Sequence, residues 1–235
     1  MGEHTYKQFD YELEAIRSGV LNMGGQVEQQ LQRAIAALSE DSSSESIDAV
    51  GATEALVNSA QITIDQQCMQ IIAKRQPAAI DLRTILTVTK IVNDLERIGD
   101  EAKKIAYKAA ATRGSNQLTQ VRYLEVTRAA NQARTMLQMA LDSFARLDPL
   151  AAADVVDRDG EIDAMFHSIM RQLISYMMED PRTISPALEI VFIAKSIERI
   201  GDHAKNIAES VVQVVKGKDV RHATPEQIRA EVAER

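Results

Sequence analysis

The chain contains no Trp, one Cys, five Tyr and four Phe, and only 5 Pro and 10 Gly in 235 residues. With aromatic residues at 4% and so little turn material, an all-β chain lacks both its strand formers and its punctuation. The single Cys68 excludes an internal disulfide and a Cys-rich zinc site. It stands in the apolar stretch Ile64 to Ile72, where a small core thiol is expected. Long apolar runs are missing too: none approaches the ~18 residues of a membrane span, and the opening MGEHTYKQFDYELE has no apolar secretion core. A cytoplasmic chain without membrane insertion is expected. Positive charge is in deficit, with 27 Lys+Arg against 34 Asp+Glu and a net charge of −7, the reverse of the basic stripe that holds a protein to nucleic acid.

What remains favours helix, with hydrophobic residues at 45% and charged residues at 26%. Apolar residues at Leu13, Ile16, Val20, Met23, Val27, Leu31, Ile35 and Leu38 recur in steps of three and four, predicting a first helix over Phe9 to Leu38. Gly24-Gly25 inside it points either to close packing or to a kink. The polar stretch Glu40 to Ser46 reads as a loop with Ser44 or Ser46 as N-cap, and a second helix runs from there to Gln76, stopped by Pro77. A third, from near Ile80 to about Thr112, has the stripe Ile80, Leu82, Ile85, Val88, Ile91, Leu95, Ile98, Ala102 and Ile105, with Gly114 as its stop. Ser115 or Asn116 caps a fourth helix whose stripe includes Val121, Leu124, Leu137, Leu141, Phe144 and Leu147. Asp148-Pro149 opens a fifth, to about Glu179. Ser185-Pro186 opens a sixth, ending at Lys216 before Gly217. Thr224-Pro-Glu-Gln227 fits a capping box for a short terminal helix. Methionines 165, 170, 177 and 178 read as core filling.

The segment Leu95-Glu-Arg-Ile-Gly-Asp-Glu-Ala-Lys-Lys-Ile-Ala106 reappears 102 residues later as Ile197 to Ala208, with nine of twelve positions identical. The fold expected is therefore all-α: two tandem three-helix bundles related by an internal repeat, over residues 5–113 and 115–217, with a tail over 218–235.

Glu96 and Asp100, and Glu198 and Asp202, stand one turn apart within that repeat. The preceding helices carry Glu54 and Asn58, and Asp159 and Asp163, also four apart and set beside apolar positions. In a helical hairpin, residues equidistant from the turn face each other. Positions 58 with 96 and 54 with 100 centre on 77, while 163 with 198 and 159 with 202 centre on 180.5, at the two proline turns. Each hairpin thus brings two polar pairs together. Such oxygen clusters suit hard or borderline divalent or trivalent ions, with iron, zinc, manganese, magnesium and nickel all open. Asn58, a neutral amide, weakens the first cluster. The competing reading is a face of salt bridges, Asp100 with Lys104 and Asp202 with Lys205. His167, four residues after Asp163, is an optional ligand, whereas His203 is rotated ~100° from Asp202.

With an E-R-I-G-D in each third helix, the chain resembles the PhoU family of bacterial phosphate-signalling proteins. The likeness extends through Phe9-Asp-x-Glu-Leu, Met23-Gly-Gly, Ala73-Lys-Arg-Gln-Pro-Ala-Ala-Ile-Asp-Leu-Arg83 and Tyr176-Met-Met-Glu-Asp-Pro-Arg-Thr-Ile184. The resemblance implies a cytoplasmic, non-catalytic negative regulator of the phosphate regulon. It implies an adaptor acting with the ATPase subunit of the phosphate ABC transporter and with a phosphate-sensing histidine kinase, and association as a homodimer. It also implies metal on the E/D-x-x-x-D motifs, which map onto the eight residues above. Near the hairpin tips, Lys74, Arg75, Asp81, Arg83 and Arg182 are candidate partner contacts, or else solvated helix ends. Two rivals stand beside this reading: a helix-bundle di-metal carboxylate oxidase, disfavoured because no Glu-x-x-His occurs in the chain, and a metal-free structural helical adaptor.

Overall fold

The first apolar stripe is buried as its spacing requires, with Ile16, Val20, Met23, Val27 and Leu31 all at most 1% exposed. They belong to α1 (Gly2–Ala36), the first of seven α-helices in a computed structural model that describes residues 2–38, 44–111 and 119–233. The others are α2 (Ser44–Arg75), α3 (Ala79–Ala111), α4 (Thr119–Arg146), α5 (Pro149–Glu179), α6 (Ile184–Lys216) and α7 (Pro225–Ala233). No strand occurs among the described residues.

The helix signals act as capping chemistry predicts, with some shifts. Asp148 caps α5, its carboxylate accepting from the Leu150 and Ala151 amides at 3.0 and 3.1 Å. Gly217 ends α6 at φ 78°, the left-handed region a Cβ disfavours. Thr224 and Gln227 form the expected box: the Thr224 amide donates to Gln227 Oε1 at 2.9 Å, and the Gln227 amide donates to Thr224 Oγ1 at 3.4 Å. By contrast, α2 already includes Ser44 and Ser46, and α6 starts at Ile184, fed by a 3-10 turn over Pro181–Thr183. Ser185-Pro186 therefore lies inside the first turn, where proline's missing N–H costs nothing. The expected caps Ser115 and Asn116, the stop at Gly114 and positions 40–43 of the loop lie outside the described residues.

Four apolar assignments change. Leu124 is 72% exposed and Ile80 64%. In α4 the inward face is Val126, Ala130, Ala133, Leu137, Ala140 and Phe144. Leu124 sits about 200° from Val126, and an alanine-rich stripe is easily overlooked beside a large leucine. Leu147 falls in the turn at φ 51°, and Met178 is exposed at the end of α5.

Helices α1, α2 and α3 pack on one another, as do α4, α5 and α6. Among the described residues two helix contacts join the sets: α1 against α4 and, most extensively, α3 against α6. Both are antiparallel, since Arg134 on α4 reaches Glu28 at 3.3 Å while Arg17 donates to the Ala145 carbonyl, and Lys90 and Lys108 on α3 reach Gln213 and Glu189 at 3.0 and 2.8 Å. Gly24 makes the first contact possible, because a Cβ there would stand 2.6 Å from a methyl of Leu141. At Gly25, by contrast, nothing lies within 4 Å. Close packing accounts for the first glycine, and α1 stays helical through both. Both sets share one continuous hydrophobic core, which α7 extends with Ile228 and Val232.

Candidate metal centres

The hairpins α2–α3 and α5–α6 place a polar seam on each side of the α3–α6 contact. At the first seam, Glu54 is 16% exposed and its Oε2 lies 2.5 Å from Lys103 Nζ. That hydrogen bond holds Lys103 above its ordinary value. The Glu96 carboxyl is raised, first by burial and then by Asp100. Arg97 opposes the rise and Glu54 adds to it, so the three carboxylates share one electrostatic neighbourhood. Asn58 completes the group with a buried Oδ1 that has no hydrogen-bond partner.

At the second seam, Asp159 Oδ2 accepts from Lys205 at 2.6 Å, and Glu198 Oε1 accepts from Lys195 at 2.6 Å. Glu198 Oε2 is also 2.5 Å from Lys195 Nζ, within ion-pair range but outside hydrogen-bond geometry. Asp202 is pushed up to about 6, foremost by burial of its carboxyl, then by Glu198, Asp159 and Asp163. Asp163 and Asp202 are both exposed by surface area, so they form the rim of the seam and not its floor. His167 Nδ1 is engaged 2.7 Å from the Asp163 carbonyl oxygen.

The mirrored placement thus brings acidic charge together at both seams, yet no three His, Cys, Asp or Glu side chains converge on one ion position among the described residues. The side chains are set instead for lysine. The ion pairs differ from those expected along the helix: Lys104 turns to Glu101 at 2.9 Å, and Lys205 crosses the seam to Asp159. The donor set still fits a hard or borderline cation, since it consists of carboxylate and amide oxygens. The Asn58 Oδ1, buried and unpartnered, is the group a cation would relieve most.

Several residues of this region escaped the sequence reading. Gln30 of α1, fully buried, donates from Nε2 to the Val50 carbonyl at 3.3 Å. Its unpartnered Oε1 would lie 2.9 Å from a Cβ at Gly99, within the first E-R-I-G-D. Its signal was a glutamine sitting between Val27 and Leu31 in an apolar stripe. Between the repeats, buried Glu101 accepts from Arg199 at 3.1 Å and from Lys104, and His203 Nδ1 lies 2.8 Å from Asp94 Oδ1. Each motif-bearing helix therefore contributes to the contact with the other. Glu209, 5% exposed and two turns beyond Asp202, is pushed up to about 6, chiefly by burial.

The hairpin-tip residues are largely occupied within the chain. Arg75 donates from Nε and Nη2 to Glu12 at 2.9 and 2.8 Å, and Arg83 reaches the Val214 carbonyl at 3.4 Å, near the end of α6. Arg182 pairs with Asp180 at 2.8 Å while staying 80% exposed. Lys74 is exposed and lines an α1–α2 groove with Gln8, Tyr11 and Gln70, and Asp81 is half-buried in the first turn of α3. Cys68 is fully buried, and burial pushes its thiol up to about 12.

The model of the PhoU domain matches residues 20–109 and again 126–211. The chain is 44% identical over 229 residues to the phosphate-specific transport system accessory protein PhoU homolog of Pseudomonas aeruginosa, covering 97% of this chain and 94% of that one. It is 41% identical over 228 residues to the corresponding PhoU protein of Escherichia coli, covering 97% and 93%. The crystal structure of PhoU from Pseudomonas aeruginosa superposes with a TM-score of 0.85 at 44% identity, covering 89% of this chain and all of that one. The phosphate transport system regulatory protein PhoU from Streptococcus pneumoniae gives 0.82 at 26% identity, covering 90% and 99%.

Proposed function

The chain belongs to the PhoU family, and from that premise we propose that it is an accessory regulator of phosphate-specific transport that keeps phosphate-starvation genes repressed when phosphate is plentiful. The observation that carries this reading is similarity across nearly the whole chain, at above 40% identity, to proteins named as accessory proteins of the phosphate-specific transport system. We read the molecule as a cytoplasmic, non-catalytic adaptor, working as a homodimer between the transporter's ATPase subunit and a sensor histidine kinase. No described helix is long and apolar enough to cross a membrane.

In this reading Glu54, Asn58, Glu96 and Asp100 hold metal at one seam, and Asp159, Asp163, Glu198 and Asp202 hold it at the other. A bound ion supplies positive charge that ties two helices together. The chain's own residues do the rest: burial and like charge raise the Glu96 and Asp202 carboxyls, which positive charge would relieve, and Glu101, Arg199, His203 and Asp94 couple the two motif helices. The lysine pairs favour a second reading, in which the same adaptor works without metal.

Deletion of the gene tests the regulatory reading. Phosphate-starvation genes should be expressed in high phosphate and silenced again by the intact copy, and normal repression in the deletion strain overturns the proposal. Elemental analysis of protein purified without a metal-affinity column tests the metal reading. An Asp159→Ala/Asp163→Ala variant should lose bound metal, and equal metal content in the two proteins would count against it.

A further inference from the structure

We propose that Lys103, Lys195 and Lys205 are built-in counter-ions that compete with a cation for the seam carboxylates, so that these lysines set how readily each seam takes up metal. The inference rests on the metal reading above and adds the residues that oppose it.

Three observations carry it. The first is position. Lys103 and Lys205 occupy the same place in the repeated segment, 102 residues apart, and each crosses its seam to the first member of the polar pair on the opposite helix, Glu54 at 2.5 Å and Asp159 at 2.6 Å. A pairing made twice by the repeat is a property of the fold and not of one surface rotamer.

The second is charge. The first seam has three carboxylates, Asn58 standing in the fourth position, and one lysine partner. The second has four carboxylates and two lysine partners, Lys195 having Asn93 as its counterpart in the first repeat. The half with the additional carboxylate carries the additional lysine, so in both seams the carboxylates outnumber their lysine partners by two.

The third is accessibility. Glu54, Asp159 and Glu198 are 14–16% exposed, whereas Lys103, Lys195 and Lys205 are 33–48% exposed. The carboxylates are fixed in the seam, while the ammonium groups reach in from the rim on flexible stems. A lysine can swing back into water at little desolvation cost, and an arriving cation then takes the freed oxygens.

The test uses the full chain and Mn²⁺ alone, with free Mn²⁺ followed by electron paramagnetic resonance and thermal midpoints measured in chelator. Lys103→Met, Lys195→Met and Lys205→Met keep the apolar stem and remove the charge, and the matching Gln variants serve where a Met variant fails to fold. Each neutral variant should bind Mn²⁺ at least tenfold more tightly than wild type and melt at a lower temperature in chelator, while Lys→Arg variants stay within threefold of wild type. Uptake of Mn²⁺ by wild type with unchanged affinity in all neutral variants overturns the role of the lysines and leaves the metal reading standing. Tight binding only in the neutral variants supports the competition in its strongest form. An absence of binding in every protein overturns the metal reading, and the inference falls with it.

Discussion

Glu209→Gln measures what it costs to bury a carboxylate two turns beyond Asp202. Glu209 is 5% exposed, and its carboxyl is raised from 4.5 to about 6 by burial first, with Lys205 opposing and Asp159 adding to the rise. The folded chain therefore binds more protons than the unfolded chain between those two values. Stability from this group is fully present below pH 4.5 and is lost as pH rises through 6. The difference of about 1.5 units corresponds to about 2 kcal/mol. An amide of nearly the same shape cannot ionise, so Glu209→Gln avoids that loss. Between pH 4 and pH 7.5 in chelator the stability of the variant minus that of wild type should rise by about 2 kcal/mol, which for a chain of this size is about 4–8 °C in Tm. Any fixed cost of the amide, such as an unpaired N–H, cancels in the comparison between the two pH values. Thermal unfolding followed by circular dichroism at pH 4 and pH 7.5 is the assay. A difference between variant and wild type that does not change with pH, or that falls toward neutral pH, refutes the reasoning.

Other expectations follow from packing and capping. Gly25→Ala should stabilise α1 by ~1 kcal/mol, since no atom lies within 4 Å of the added Cβ. Gly24→Val should cost at least ~2 kcal/mol by pushing on Leu141 at the α1–α4 contact; equal Tm changes for the two variants would contradict the packing described. Cys68, fully buried with its thiol at about 12, should resist a thiol reagent at pH 8 until the chain is unfolded, and rapid native labelling would show that the site opens. Asp148→Ala removes the acceptor of two backbone amides and should lower stability by ~1 kcal/mol in chemical denaturation, with no loss expected if the cap were idle.

Much of this molecule is legible without coordinates because helices are local objects. The stripe from Ile16 to Leu31, the Asp148-Pro149 start and the Gly217 stop each depend on residues within a few turns of one another. Counting outward from Pro77 and from Asp180-Pro181 also predicts which acidic positions share a seam, since a hairpin maps sequence distance onto space. The same local reading goes astray where size misleads, as at Leu124, which points outward while alanines line the true inner face.

The order and type of the helices, their pairing within each hairpin, and the presence of two acidic groups were therefore decided by the sequence itself through the period of the helix and the positions of its turns. Tertiary structure decided the partners. Lys205 turned to Asp159 and not along its own helix, Arg199 met Glu101 across the repeats, Gln30 arrived behind Gly99, and Arg75 and Arg83 were drawn inward from the tips. The physical reason is reach: backbone hydrogen bonds and apolar faces are set by near neighbours, whereas a long charged side chain chooses among all groups within several ångströms. Those groups exist only once separate helices have been packed together.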